Sequence, residues 1–336
     1  MSAPGRETGG VAAVVLNYRR PDDTIACVRS LLLSEGGVPE IIVVDNGSGD
    51  DSAERILRAF PALRLLRNPR NLGYAGGNNA GIRAALADGA EFVFVVNNDC
   101  TVDPGAVEAL VEEARRSGAG IASPKVHDAR RPGIIQYAGY RNLHLLAQGI
   151  PVGEGRRDRG QYDRARDLSA APGCAILFSR RLIEEVGFFD ERFFCYSEEL
   201  DLCRRAREAG FRIRYAPRAL VRHRGAATLD ARSPDYVYYL TRGRLIYARK
   251  HLGWAAFALL FLPWFAAVKL VKPAACHAFR GRWDCIGALR RAVAWNLRNR
   301  IPRGPRGGAP CALDRGEAAR TSPSAHPGGP AAGPVP

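Results

Sequence analysis

Five short stretches hold the residue types that chemistry needs. Asp45-Asn46-Gly47-Ser48 places a carboxylate just after an apolar run. There it can accept hydrogen bonds from a nucleobase imide or a ribose hydroxyl, although the same residues suit a helix N-cap turn. Asn71 to Gly81 (NLGYAGGNNAG) is rich in small residues that let a phosphate approach a helix N-terminus. Its spacing departs from the dinucleotide fingerprint. Asn97-Asn98-Asp99 closes a Val-rich run. An acid at that place beside a diphosphate suits Mg2+ or Mn2+, which take oxygen ligands and leave room for water and phosphate; a strand-ending turn is the other reading. Glu198-Glu199-Leu200-Asp201 crowds three carboxylates at a helix start. Crowding raises a carboxyl pKa and lets one member serve as a general base. Helix-terminus complementarity, followed by pairing with Arg204 and Arg205, accounts for the same residues. His223, in VRHRG, draws interest only from the stretches before it.

The elements that must position these residues alternate. VAAVVL (11–16), EIIVVD (40–45), LRLLRN (63–68) and EFVFVVNND (91–99) read as strands. Pro21 to Leu33, Ser52 to Phe60, Tyr74 to Ala87 and Pro104 to Ser117 read as helices between and after them. Such alternation predicts a mostly parallel sheet flanked by helices, with ligands outside the carboxyl ends of the strands. The residues there are Asn17, Asp45, Asn68 and Asn97 to Asp99. Farther on, 153–167 reads as an exposed loop, 174–187 as a strand and helix, and the second half of 189–210 as a helix.

Beyond Arg242 the character changes. The apolar run 254–268, WAAFALLFLPWFAAV, contains Pro263 and is flanked by Arg242, Arg244, Arg249, Lys250, Lys269 and Lys272. Fifteen helical residues reach roughly 22 Å, short of a hydrocarbon core of roughly 30 Å. The run predicts an interfacial or re-entrant helical hairpin on an anionic membrane, with a core helix of the globular domain as the alternative. A Pro/Gly/Ala-rich tail from 301 reads as disordered, and residues 1–10 as a flexible N-terminus.

The 336-residue chain has a net charge of +15, concentrated toward the C-terminus. That favours an anionic partner but does not name one. Nucleic acid is disfavoured, because the basic excess surrounds an apolar run and is not interleaved with aromatics on one face. Eight cysteines at irregular spacing fit neither a zinc site nor a disulfide scaffold, which predicts reduced thiols in a reducing compartment. MSAPGRETGG lacks the apolar region of a secretion signal.

Together the motifs VVLNYRRP, VVDNGSGD, NPRNLGYAGGNNAGI, VVNNDCTVDP and GFFDERFFCYSEELDLCRRAREAGFRIRYAPRALVRHRG resemble an inverting family 2 glycosyltransferase of the rhamnosyltransferase-like branch. The resemblance covers roughly 11–250 and implies a GT-A, Rossmann-like nucleotide-diphospho-sugar transferase fold, followed by a membrane-associating helical region at 251–300. It implies that Asn17, Tyr18 and Asp45 hold the nucleoside, and that Asn71, Gly73 and Asn78 line the diphosphate and sugar, joined by Asn98 and Asp201. It implies a metal, Mg2+ or Mn2+, on Asp99 and His223, and a catalytic pair of Glu198 and Glu199 with Glu199 the base. Two departures stand out: the acidic DxD motif is Asn97-Asn98-Asp99, and the usual Glu-Asp pair is Glu-Glu. The implied partners are a dTDP- or UDP-linked sugar, a polysaccharide or lipid-linked acceptor and an anionic membrane surface on the cytoplasmic side. A catalytically inactive sugar-nucleotide binder is the alternative that the incomplete DxD motif leaves open.

Overall fold

A computed structural model describes residues 10–225 and 233–302; the expectations for the N-terminus and the tail lie almost wholly outside them. The apolar runs become strands β1 (Val11–Asn17), β2 (Glu40–Asp45), β3 (Arg64–Arg67) and β4 (Phe92–Asn97). β1, β2 and β4 are almost wholly buried and rich in Val and Ile, as strands covered on both faces are, whereas the edge strand β3 (RLLR) is only partly buried. The chain then adds β5 (Cys100–Val102), β6 (Ile121–Asp128), β7 (Ile135–Tyr137), β8 (Tyr140–Leu143), β9 (Gln148–Pro151), β10 (Arg166–Asp167), β11 (Ala175–Ser179) and β12 (Ile213–His223). The main sheet has ten strands, ordered β10-β12-β6-β11-β4-β1-β2-β3, with β5 on β12 and β7 on β6. Its core pairs are parallel, except that β11 runs antiparallel between β4 and β6.

Register gathers the strand ends. Asn17 stands opposite Asp45, and Leu16 opposite Asn97. The strand expected over 91–99 stops at Asn97; Asn98 and Asp99 form a turn, and the chain doubles back as β5. That reversal is decisive, because β5 pairs with β12 so that Cys100 faces His223.

Helices α1 (Pro21–Leu32), α2 (Ser52–Ala59), α3 (Gly73–Ala87) and α4 (Ala106–Ser117) follow the first strands. The glycines of α3 are needed for packing. A Cβ on Gly81 would lie 2.3 Å from Val14 Cγ1, so only glycine lets the helix sit this close to β1. Later come α5 (Arg180–Val186), α6 (Glu198–Glu208) and α7 (Pro234–His251). Ser233 caps α7 by accepting a hydrogen bond from the Tyr236 amide, with Pro234 in the first turn.

Beyond α7 the structure departs from the expected hairpin within 254–268. One continuous helix, α8 (Ala256–Phe279), runs through Pro263. Stretches on both sides of the proline widen to π-helical geometry, which redistributes the hydrogen bonds that a ring without N–H cannot make. The reversal comes instead at Arg280–Arg282, and α9 (Trp283–Arg298) returns to pack along α7. Phe261 and Phe265 are buried, stacked 5.2 Å apart, and tie one side of α8 to the domain. Its other side bares Leu259, Leu260 and Val271.

Asp201 joins α6 to α7. Its side chain is fully buried and meets Arg205 Nε at 2.8 Å, Lys250 Nζ at 2.8 Å and His251 Nε2 at 2.7 Å. Burial opposes its charge, but these cations outweigh burial and hold its carboxyl far below the ordinary aspartate range. Asp201→Asn removes the buried carboxylate that Arg205, Lys250 and His251 share, so it should cost about 3–5 kcal/mol in urea-unfolding stability. Because the folded pKa is depressed, the Asp201 contribution is present above the unfolded pKa and is lost as the pH falls through the acid range; the variant should show a flatter acid limb.

Candidate active site

At the ends of β1 and β2 a polar cluster is assembled around Asp45. Asn17 is fully buried and donates from Nδ2 to Asp45 Oδ1 at 2.8 Å, while Thr24 Oγ1 donates to Asn17 Oδ1 at 2.8 Å. Ser48 Oγ and the Ser48 amide also donate to Asp45. Asn98 Nδ2 donates to Thr24 Oγ1 at 3.1 Å, linking the end of β4 to this cluster. Asn17 and Asn98 therefore orient Asp45 and its loop, whereas half-buried Tyr18, with the Arg19 guanidinium 5.3 Å from its ring, has exposed surface to offer a ligand.

Asn46 has a role that sequence reasoning missed. Its Nδ2 donates to Asn71 Oδ1 at 2.9 Å and to the Gly73 carbonyl at 3.0 Å; its Oδ1 accepts from Asn68 Nδ2 and the Leu72 amide. All its bonds go to the loop that opens α3. Gly73, at φ 74°, lies so close to the Phe194 carbonyl that a Cβ would be 2.4 Å from its oxygen. Asn78 is buried; Nδ2 donates to the Tyr74 carbonyl, and Oδ1 has no partner among the described residues.

Asp99 and His223 meet as the resemblance implied. His223 Nε2 lies 3.2 Å from Asp99 Oδ1, and Nδ1 is 2.8 Å from Gln136 Oε1 on β7. Burial works against the Asp99 charge, but the hydrogen bond and charge of His223, with a backbone hydrogen bond and the charge of Arg224, together outweigh it and keep the carboxyl below its ordinary value. Burial likewise opposes protonation of His223, yet the neighbouring Cys174 and Asp99 lift it to about 9. Cys100 completes a buried group in which carboxylate oxygen, ring nitrogen and thiol sulfur lie within 4.8 Å of one another. A carboxylate oxygen and an imidazole nitrogen are donors that suit a divalent ion. Arg222 pairs with Asp103, and Arg224 with Asp23 at 2.7 Å, so both are engaged at the edge of this group.

The acidic pair sits on a strained turn. Phe194, Tyr196 and Ser197 all have positive φ, from 64° to 77°, an unusual run for residues with a Cβ. Glu198 is buried, with Oε2 unpartnered, and burial plus the charge of Glu199 push its carboxyl far up. Glu199 stays partly exposed; burial raises it to about 7, partly offset by backbone amides at the start of α6. Tyr137 connects the halves of the site: its ring is 6.4 Å from His223, and it lies in the field of Glu199. Asp201 is not among the groups gathered here. It was expected at the donor, but its oxygens are taken by Arg205, Lys250 and His251 beneath α6, where it anchors the helix.

Residues 12–187 match the family model described as Glycosyl transferase family 2. The chain belongs to that family. Among its relatives, this transferase is 29% identical over 248 residues to N-acetylglucosaminyl-diphospho-decaprenol L-rhamnosyltransferase of Mycobacterium tuberculosis, covering 67% of this chain and 80% of that one. It is 26% identical over 218 residues to the low-salt glycan biosynthesis hexosyltransferase Agl10 of Haloferax volcanii, covering 60% of this chain and 63% of that one. The fold resembles that of GalNAc-T7, solved with UDP, GalNAc and Mn2+, with a TM-score of 0.58 at 14% identity over 88% of this chain and 58% of that one. These likenesses make the sheet a GT-A fold and the chain a glycosyltransferase. Asn46→Ala leaves the loop amides of this transferase without their buried partner and should cost about 1–3 kcal/mol in thermal or urea unfolding. It should also raise the KM for the donor more than it lowers kcat.

Proposed function

We propose that the transferase moves a sugar, rhamnose being the first candidate, from a dTDP- or UDP-linked donor to a lipid-linked or polysaccharide acceptor, with inversion. The observation that supports this reading is a shared neighbour: Tyr137 lies in the field of Glu199, which is raised to about 7, and its ring is 6.4 Å from His223, the partner of Asp99. Asp45, held by Asn17 and Ser48, accepts from the nucleobase or ribose. Asp99 and His223 hold a divalent ion, which when bound stabilises charge on the departing diphosphate. Glu199 takes the proton from the acceptor hydroxyl as that oxygen forms its bond to the anomeric carbon. The carbon–oxygen bond to the diphosphate breaks on the opposite face, so the configuration inverts. A base with a pKa near the working pH is both largely ionised and strong enough to accept that proton. Glu198, protonated and buried behind it, keeps the second carboxyl uncharged.

The exposed apolar side of α8, with Lys269, Lys272, Arg280 and Arg282 around it, supports a place on an anionic membrane surface. α8 is long and apolar enough to span, but a crossing would carry α9 to the far side, whereas α9 packs on α7. Lying on the cytoplasmic face is the reading that keeps both contacts.

Release of nucleotide diphosphate from a panel of dTDP- and UDP-sugars, with and without Mn2+ or Mg2+, tests this. One donor should support metal-dependent release. Glu199→Gln should lower it by about 10²–10⁴-fold, and wild-type transfer should decline as the pH drops through about 7, where Glu199 takes up its proton. No release from any donor, even with membrane extract supplying acceptors, would instead favour a sugar-nucleotide binder without activity. Mn2+ must displace the His223 proton, so its affinity, read by calorimetry, should climb by up to about tenfold per pH unit as the pH approaches about 9 and be lost in Asp99→Ala.

A further inference from the structure

Strand pairing brings Cys100 to the Asp99–His223 group. It opens β5 directly after Asp99 and stands opposite His223 in the antiparallel β5–β12 pair, where facing residues carry their side chains on the same side of the sheet. The carboxylate oxygen, the ring nitrogen and the sulfur lie within 4.8 Å of one another, and all three residues are buried. Cys27 and Cys174 are buried too, but neither belongs to that group.

The distances suit a single ion. Zinc takes thiolate sulfur at about 2.3 Å, imidazole nitrogen at about 2.0–2.1 Å and carboxylate oxygen at about 2.0–2.2 Å, so ligand atoms at tetrahedral angles stand roughly 3.3–3.6 Å apart. His223 Nε2 and Asp99 Oδ1, at 3.2 Å, are already close to that spacing. The sulfur has to close by at most about 1.5 Å, within the swing of χ1. It gives up only a weak thiol hydrogen bond, to the Cys174 carbonyl at 3.4 Å. Gln136 Oε1, which only accepts, is 2.8 Å from His223 Nδ1 and holds the ring with Nε2 toward Asp99. Metal-bound histidines are oriented in this way, by an acceptor behind the other ring nitrogen.

Charge points in the same direction. Asn97-Asn98 precedes Asp99, and Asn98 Nδ2 donates to Thr24, so the motif brings one carboxylate to the group. A divalent ion on Asp99 and a neutral His223 keeps a net positive charge in a buried place, and a Cys100 thiolate cancels it. We propose that Cys100 is a third protein ligand of the divalent ion and makes the site select Zn2+ over Mg2+, an inference that rests on the preceding reading of Asp99 and His223 as ligands. Sulfur is a soft donor that suits Zn2+, and its spectroscopic stand-in Co2+, whereas Mg2+ takes oxygen. As the sulfur–metal bond forms, the thiol proton leaves to solvent. Three protein ligands leave a fourth position for a diphosphate oxygen of the donor, as catalytic zinc sites leave one for water or substrate.

The test is Co2+ titrated into the metal-free full chain and read by absorption. The wild type should develop a near-ultraviolet thiolate-to-cobalt charge-transfer band that saturates at one ion per chain, and Zn2+ should bleach it. The band should vanish in Cys100→Ser and persist in Cys27→Ser and Cys174→Ser. By calorimetry, Cys100→Ser should weaken Zn2+ at least about tenfold while Mn2+ changes by less than about threefold. A thiol that only packs the core would move both alike. Cys100→Ala supplies the same comparison if the serine variant does not fold, and the wild-type band needs no variant. A wild type without the band overturns the proposal, as does a band that survives Cys100→Ser, or an equal loss of Zn2+ and Mn2+. Nucleotide diphosphate release with Mn2+ is measured in parallel. Release without the band defeats the thiol ligand alone, whereas the band without release upholds the ligand and counts against the transferase reading.

Discussion

The grip of Arg205, Lys250 and His251 on the buried Asp201 carboxylate is the interaction on which the rest of this structure depends. Arg205 closes it within α6, while Lys250 and His251 reach it from the end of α7. A lone buried carboxylate is very costly, and so is a lone buried ammonium; together they are tolerable, and each locks the other's element in place. Lys250 extends the cluster to Asp190 at 2.7 Å, just ahead of the strained turn. Arg242 then donates to the Arg192 and Phe193 carbonyls while its guanidinium lies 4.4 Å from the Trp295 ring on α9. The acidic turn, α7 and the returning helix are held as one assembly, and α8 is the arm between its members.

That cluster also explains how carboxylates so close in sequence behave oppositely. Glu198, Glu199 and Asp201 start one helix; Glu198 and Asp201 are buried and Glu199 is partly so. Asp201 has cations and is driven toward its charged form; Glu198 and Glu199 have only each other and backbone amides and are driven toward the neutral form. Partners, not burial, decide the direction. The positive-φ residues Phe194, Tyr196 and Ser197 lead directly into this helix.

Much of this was legible in the sequence, for reasons that can be named. Unbroken Val and Ile runs such as VAAVVL and EIIVVD read as buried strands, and in a parallel sheet their polar ends converge, so Asp45 and Asp99 were readable as candidate site residues. The partnership of Asp99 with His223 was implied by resemblance alone, because it arises from the reversal after Asn97 and the pairing of β5 with β12. Cys100 joined the group through the same pairing and left no local signal. Asn46 looked like an ordinary turn residue because its partners lie in a distant loop. Asp201 was misplaced because its charge and motif position matched a ligand contact, while its partners Lys250 and His251 lay where the basic flank of a membrane segment was expected. The glycines of α3 suggested room for phosphate, yet Gly81 serves the approach of helix to strand.

The C-terminal region shows why hydropathy alone misjudged the chain's path. Pro263 breaks an isolated helix by removing a donor and crowding the preceding turn. Here the turns around it widen, and the stack of Phe257, Phe261 and Phe265 against the domain holds the helix together through the defect. Once the helix continues to Phe279 it has the length of a span, but length is only one condition for crossing. The returning α9 carries Arg290 and Arg291 in its middle and buries Cys285, Ala288 and Ala292 between itself and its neighbours. A helix with that charge would be expensive in hydrocarbon, and α9 gains more from packing on α7 than from lipid. The hairpin therefore has one side fastened to the glycosyltransferase domain and one apolar side that the described residues leave uncovered.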